Sequence, residues 1–214
     1  MKYENFIELY ANQKNTDISS HLPEIYKEVY KMQPKTIVEL GVRGGESSFV
    51  FSCINEELGS HVYGIDIDLC DYRDIRNGHF IQGDDCQVAK TFHQKIDVLM
   101  IDTSHLFDHT LLEITEWFPL LNERSLILFH DTNIDGKGYI RLNGTRGENW
   151  DNQRGVIRAL EVFFGKTYDE KAEFEDSFEF YGYLWKLRHK AYCNGLMMIW
   201  KTPLERSVDK EVFE

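Results

Sequence analysis

Two short stretches of this sequence gather groups that can bind a hard cation and move a proton: Asp102-Thr103-Ser104-His105 and His130-Asp131. Each closes an apolar run that reads as a β-strand, Asp97 to Asp102 and Ser125 to His130, which sets two carboxylates and two imidazoles at strand ends. Carboxylate oxygens suit a divalent cation such as Mg2+, which acidifies a hydroxyl bound to it. An imidazole titrating near neutrality is suited to take a proton. An Asp at a strand end also serves as a turn or helix cap, and a lone His at such a junction as a capping or surface residue. From residue types alone both roles stand.

A third stretch, Glu39-Leu40-Gly41-Val42-Arg43-Gly44-Gly45, makes a glycine turn after the strand Thr36 to Leu40. Glycine at 41 and 45 lets the backbone approach a ligand closely. Glu46, Ser47 and Ser48 then open a helix, where unpaired N–H groups face that ligand. A dinucleotide site calls for G-x-G-x-x-G, and position 43 is Arg. The observed E-x-G-x-x-x-G, with an acidic residue on the strand itself, suits a cofactor with a charged amino-acid end. Asp66 closes the next strand, His61 to Asp66, where a carboxylate can accept hydrogen bonds from both hydroxyls of a ribose, and Asp68 follows on the same face. Gly83-Asp84-Asp85 closes a short strand, His79 to Ile81; it is either a helix N-cap or a turn against an adenine.

The elements that position these residues alternate short apolar strands with amphipathic helices, the pattern of repeated βαβ units. The helices are predicted over Glu46 to Leu58, Asp108 to Leu120 and Gln153 to Phe164. The strands are almost continuously apolar, as when helices cover both faces of a parallel sheet. Before them, Phe6, Leu9 and Tyr10, then Leu22, Ile25, Tyr26, Val29 and Tyr30, recur at helical spacing, and Pro34 stops the second helix. After them, Phe178 to Leu187 and Tyr192 to Lys201 read as an antiparallel pair joined around Arg188-His189-Lys190, with aromatics that belong to packing. The expected fold is α/β: a doubly wound, Rossmann-like, mostly parallel sheet of seven strands with a C-terminal antiparallel pair and N-terminal helices. We read one domain over 1–214, with a helical extension over 1–33, a catalytic core over 34–201 and a tail over 202–214. The stretch Thr132 to Asn152, with Gly136, Gly138, Gly144 and Gly147, reads as a long loop, and two roles stand for it: closing over a substrate with Arg141, Arg146, Asn149 and Trp150, or an ordinary mobile loop.

Composition narrows the partners. With 36 acidic and 24 basic residues the formal charge is -12, which disfavours attraction to nucleic acid or anionic lipid. Cys53, Cys70, Cys86 and Cys193 are widely spaced and form no C-x-x-C, so they read as free thiols in a reducing compartment. No apolar run approaches a bilayer span, and the first residues lack a secretory signal pattern. A cytoplasmic protein with a small-molecule partner is expected, and the N-terminal helices are placed either to cover the active site or to pair in a homo-oligomer.

Taken together, Val38 to Ser47, Gly64-Ile65-Asp66, Gly83-Asp84, Met100 to His105 and Phe129-His130-Asp131-Thr132 resemble class I S-adenosylmethionine-dependent methyltransferases. The small-molecule O-methyltransferase branch, with cephalosporin hydroxylase-like proteins and macrolide-sugar O-methyltransferases, is the nearest likeness. It spans roughly residues 35 to 200, and it departs from the wider pattern at Arg43, where many members have glycine. The resemblance implies S-adenosylmethionine held by Glu39, Gly41, Gly45, Ser47, Asp66, Asp68, Gly83, Asp84 and Asp102. It also implies O-methylation of a hydroxyl on a small molecule, with a sugar or sugar-bearing metabolite among the candidate acceptors and His105 as base beside Asp102. A divalent cation, Mg2+, would sit on Asp102, Asp131 and a third ligand, His130 or Asn133; relatives often carry an acidic residue where His130 stands. Two other readings are a metal-independent enzyme with His105 as sole base, and a nucleotide-binding Rossmann protein, either an NAD-dependent oxidoreductase or a non-catalytic module.

Overall fold

A computed structural model of the chain describes residues 1–70, 78–133 and 154–205. The loop residues Arg141, Arg146, Asn149 and Trp150, and most of the tail, lie outside them. Helices α1 (Glu4–Gln13) and α2 (Leu22–Met32) precede the sheet, joined through a 3-10 turn at Ser19–His21. Then come β1 (Thr36–Leu40), α3 (Glu46–Leu58), β2 (His61–Asp66), β3 (Gly78–Gln82), α4 (Asp85–Ala89), β4 (Ile96–Ile101), α5 (Phe107–Trp117), β5 (Leu121–His130) and α6 (Gly155–Phe164). The chain ends in β6 (Phe174–Phe180), β7 (Tyr183–Lys190) and β8 (Leu196–Pro203). Helix α2 stops where Gln33 turns left-handed at φ 49, directly before Pro34.

The sheet order is β3-β2-β1-β4-β5-β8-β7-β6. The first five strands pair in parallel and the last three antiparallel. Among the described residues eight strands therefore stand where seven were expected. The stretch Phe178 to Leu187 is not one strand: Tyr181 and Gly182 take φ values of 47 and 78 and fold it into a hairpin. Nor does Arg188-His189-Lys190 form the turn before β8. Trp185, Leu187 and His189 stay buried at alternate positions, so the basic residues continue β7, and the reversal falls at Cys193, Asn194 and Gly195, all left-handed.

Alternation along each central strand feeds two cores. Leu99 and Ile101 of β4 join Val38, Leu40, Ile127 and Phe129 beneath Ile114 and Trp117 of α5 and Leu160 of α6. Val98 and Met100 face the other way, with Ile37, Leu126 and Leu128, against Tyr26 and Val29 of α2 and Phe51 of α3. With both faces covered, the functional groups are left to the strand ends. Strand order reverses between β1 and β4, and the crevice outside their carboxyl ends is where ligands of such sheets sit.

Candidate active site

That crevice is a cavity whose floor is the glycine turn. Gly41 has φ +84, and a Cβ there would stand 1.8 Å from the Asp102 carbonyl oxygen, so β1 and β4 approach this closely only with glycine at 41. Gly45 is different: it caps α3 at φ +80 with only Ser48 Cβ nearby, at 3.9 Å, so its backbone conformation and not close approach calls for glycine. Around the floor stand Arg43, Glu46, Ser47, Asp66, Asp68, Gly83, Asp84, Asp102, His105 and Asp131.

Most of the residues expected at a cofactor site thus share one cavity, but their bonding revises several roles. Glu39 is fully buried and accepts the hydroxyls of both Ser47 and Ser48, pinning the start of α3 to β1 instead of facing the cavity. Asp66 Oδ2 accepts the amides of Val42 and Arg43 at 2.8 and 2.9 Å, and its Oδ1 accepts the Asp68 amide at 2.8 Å. It holds the glycine turn in shape, and Asp68 stands beside it in the cavity wall. Asp84 caps α4, accepting the Gln87 amide at 2.9 Å, and lines the cavity as well.

At the other end β4 and β5 deliver the carboxylates. His105 Nε2 lies 2.7 Å from Asp131 Oδ2 and 3.3 Å from Asp102 Oδ1. His130 lies behind them, its Nδ1 3.1 Å from Asp131 and 3.5 Å from Asp102, while its Nε2 donates to the Cys193 carbonyl at 3.2 Å. Burial works against the imidazolium of His105, yet Asp131 and Asp102 raise its pKa to about 9. His130 is driven well up against its burial by the same two carboxylates. Asp131 is held well below the usual carboxylate range, against its burial, by the two histidines. His105 and Asp131 both take left-handed backbone, φ 61 and 57, an unfavourable choice for such residues that places their side chains face to face.

This arrangement fits a cation. Ligand atoms of Asp102, His130 and Asp131 lie within 4.8 Å of one another, and Asp131 Oδ1 is buried with no hydrogen-bond partner among the described residues. Of the two choices for a third ligand, Asn133 is engaged elsewhere: its Nδ2 donates to the Ala191 carbonyl at 2.6 Å and its Oδ1 accepts from Lys171 at 2.5 Å. His130 remains.

Several neighbours, Asp85 of the Gly83-Asp84-Asp85 turn aside, had no counterpart in the sequence reading. Asp17 and Ile18, from the stretch between α1 and α2, form a wall of the cavity, and Asp17 Oδ2 lies 3.7 Å from Arg43 Nη1. His21 follows them, with its Nε2 3.0 Å from the Tyr192 carbonyl. His109 and Asp85 meet at 3.2 Å in the cavity's far wall, with Glu113 behind them. The four-residue spacing of His109 and Glu113 was a legible signal for one polar face of α5; nothing local marks Asp17.

Residues 38–132 match a family model described as a methyltransferase domain. An uncharacterized protein, y4gI of Sinorhizobium fredii, is 26% identical over 132 residues, 52% of this chain; the matched stretch is only 14% of that relative's length. Among solved structures, the methyltransferase PaMTH1 of Podospora anserina, bound to S-adenosylhomocysteine (SAH), superposes with a TM-score of 0.57 at 13% identity, covering 94% of this chain and 88% of its own. A protein of Staphylococcus aureus assigned as a caffeoyl-CoA O-methyltransferase gives 0.55 at 15%, covering 94% and 99%. MycE, a methyltransferase from the mycinamycin biosynthetic pathway seen with Mg, SAH and mycinamycin VI, gives 0.51 at 14%, covering 87% and 49%. At such identities these structural likenesses are likenesses of fold.

Proposed function

We propose that this chain, which carries a class I S-adenosylmethionine-dependent methyltransferase domain, methylates a hydroxyl of a small molecule with the help of a divalent cation. The observation that carries the reading is the buried, unpartnered Oδ1 of Asp131 in a cluster with Asp102 and His130, at the end of a cavity that begins on the glycine turn. Asp68 and Asp66 would receive the ribose of the cofactor, and the Gly83-Asp84 turn its adenine. Asp102, Asp131 and His130 would hold the cation. When bound, the cofactor supplies an electrophilic methyl group on its sulfonium, and the cation lowers the pKa of a hydroxyl it ligates.

The chain's own residues then do the positioning. Asp102 belongs both to the cavity wall and to the cation cluster, so it would hold an acceptor hydroxyl beside the cofactor. His105 lines the same cavity within reach of both carboxylates, with Asp131 orienting its ring from 2.7 Å. Those carboxylates hold the ring as an imidazolium at neutral pH; with their charge offset by a cation on Asp102 and Asp131, His105 would be free to carry the hydroxyl proton away. Asp17 and Ile18 form part of the same cavity wall. A second reading makes that imidazole the sole base with no cation; with its pKa raised to about 9, activity would then rise toward alkaline pH. A sugar or sugar-bearing acceptor is our choice of substrate class, because the carboxylates in the cavity wall can accept hydrogen bonds from a polyhydroxylated molecule.

Calorimetric titration of Mg2+ into the SAH-saturated protein, with and without Asp131→Asn, separates the two readings. Saturable binding that the substitution weakens by at least about tenfold is expected. Methyl transfer to a panel of polyhydroxylated acceptors should in turn fall on chelation. No Mg2+ binding and no response to chelator would sink the cation.

A further inference from the structure

The glycine turn carries a charge where the wider family pattern has none. Arg43 sits in the turn with φ 45, a left-handed conformation in which glycine would be free of the roughly 1 kcal/mol that any side chain costs. Its backbone amide is fixed on Asp66, which leaves the guanidinium to extend over the cavity edge, more than half exposed. Opposite it is Asp17, from a stretch that no strand or helix of the sheet layers contains. Their side chains are 3.7 Å apart, longer than the 2.7–2.9 Å typical of a close charged hydrogen bond. Asn194 Nδ2 approaches the same Asp17 oxygen only to 3.5 Å. Both residues line the cavity that also holds Asp68 and Asp102. A ligand filling that cavity meets both side chains. Glu39, the acidic residue whose place on β1 suggested a partner for a charged amino-acid group, is buried under Ser47 and Ser48 and is not in this wall.

The geometry points to Asp17 and Arg43 as a clamp for a zwitterionic α-amino-acid group: the methionyl end of the cofactor, its carboxylate on the guanidinium and its ammonium on Asp17. This rests on the cofactor reading above. A loose ion pair is exchanged for two charge-assisted contacts, and the opposite signs fix which way round the amino-acid group lies. Asp17 supplies the negative member in place of Glu39.

The test compares SAH with 5′-methylthioadenosine, which keeps the adenosine and thioether but lacks the amino-acid group. By calorimetry, Arg43→Met and Asp17→Asn should each weaken SAH about ten- to a hundredfold, as expected for loss of one charged hydrogen bond. 5′-Methylthioadenosine should bind both variants as it binds the parent, which also shows that the cavity is intact. SAH binding unchanged in both variants, or both ligands weakened alike, overturns the clamp. A parent protein that binds 5′-methylthioadenosine as tightly as SAH does so as well. A parent that binds neither fails earlier, and takes the cofactor reading down with it.

Discussion

Glu113 shows how far a single buried side chain can depend on one proton. It is fully buried on α5, where the Thr103 hydroxyl donates to its Oε1 at 2.6 Å. Its Oε2 and Asp85 Oδ2 are both buried without another partner, and a proton on Glu113 satisfies the two at once. Burial, then the hydrogen bond and charge of Asp85, raise Glu113 well above the usual carboxylate range. Asp85, despite its own burial, is held down to about 2 by hydrogen bonds from His109 and Glu113. The linkage has a definite sign. A carboxyl whose pKa is raised by folding stabilises fully below its unfolded value, and that stability is lost as pH rises toward the folded value, because the unfolded chain ionises first. Glu113→Gln, which offers Asp85 an N–H in place of the acidic O–H, should therefore match the parent in acid and become the more stable of the two as the pH passes above about 4.3. Urea unfolding across that range measures it, and a constant difference at all pH values would show that folding leaves the Glu113 pKa where it is in the unfolded chain.

At the scale of elements, the site depends on how closely the end of β1 meets the end of β4. The contact between Gly41 and the Asp102 carbonyl predicts that Gly41→Ala costs about 2–4 kcal/mol and removes SAH binding, since the shift must come from the backbone. Gly59→Ala, at the end of α3, is the control. It has φ +73 but nothing within 4 Å of an added Cβ, so only the left-handed strain of about 1 kcal/mol is expected and SAH binding should survive. Denaturant midpoints and calorimetry separate the two. The strands and the glycine turn were readable because their signals are local: runs such as Ser125 to His130, and a turn that needs particular residues. The hairpin at Tyr181-Gly182 went unread because a lone glycine among aromatics also fits a strand interior, and the left-handed Tyr181 carries no mark in its residue type.

For the whole molecule, a ligand that binds only the folded protein must raise its melting temperature. SAH at about a hundred times its Kd should add about 2.7 kcal/mol, or roughly 5–11 °C for a domain of this size. NAD at the same concentration should leave the transition where it is, and a shift with NAD alone would reverse the cofactor assignment. The order of apolar strands and amphipathic helices determined the α/β class, and with it the crevice at the strand ends where Gly41, Asp102 and Asp131 had to lie. Residue spacing carries that much because periodicity and turn chemistry act over a few neighbours. Only the tertiary structure decided that Glu39 is spent on Ser47 and Ser48, that Asp66 holds the turn, that Asn133 is turned away, and that Asp17 reaches Arg43. Those outcomes are contests among polar groups for the same buried partners. Such contests are settled by which segments pack together, so residues far apart in the chain take part in them on equal terms.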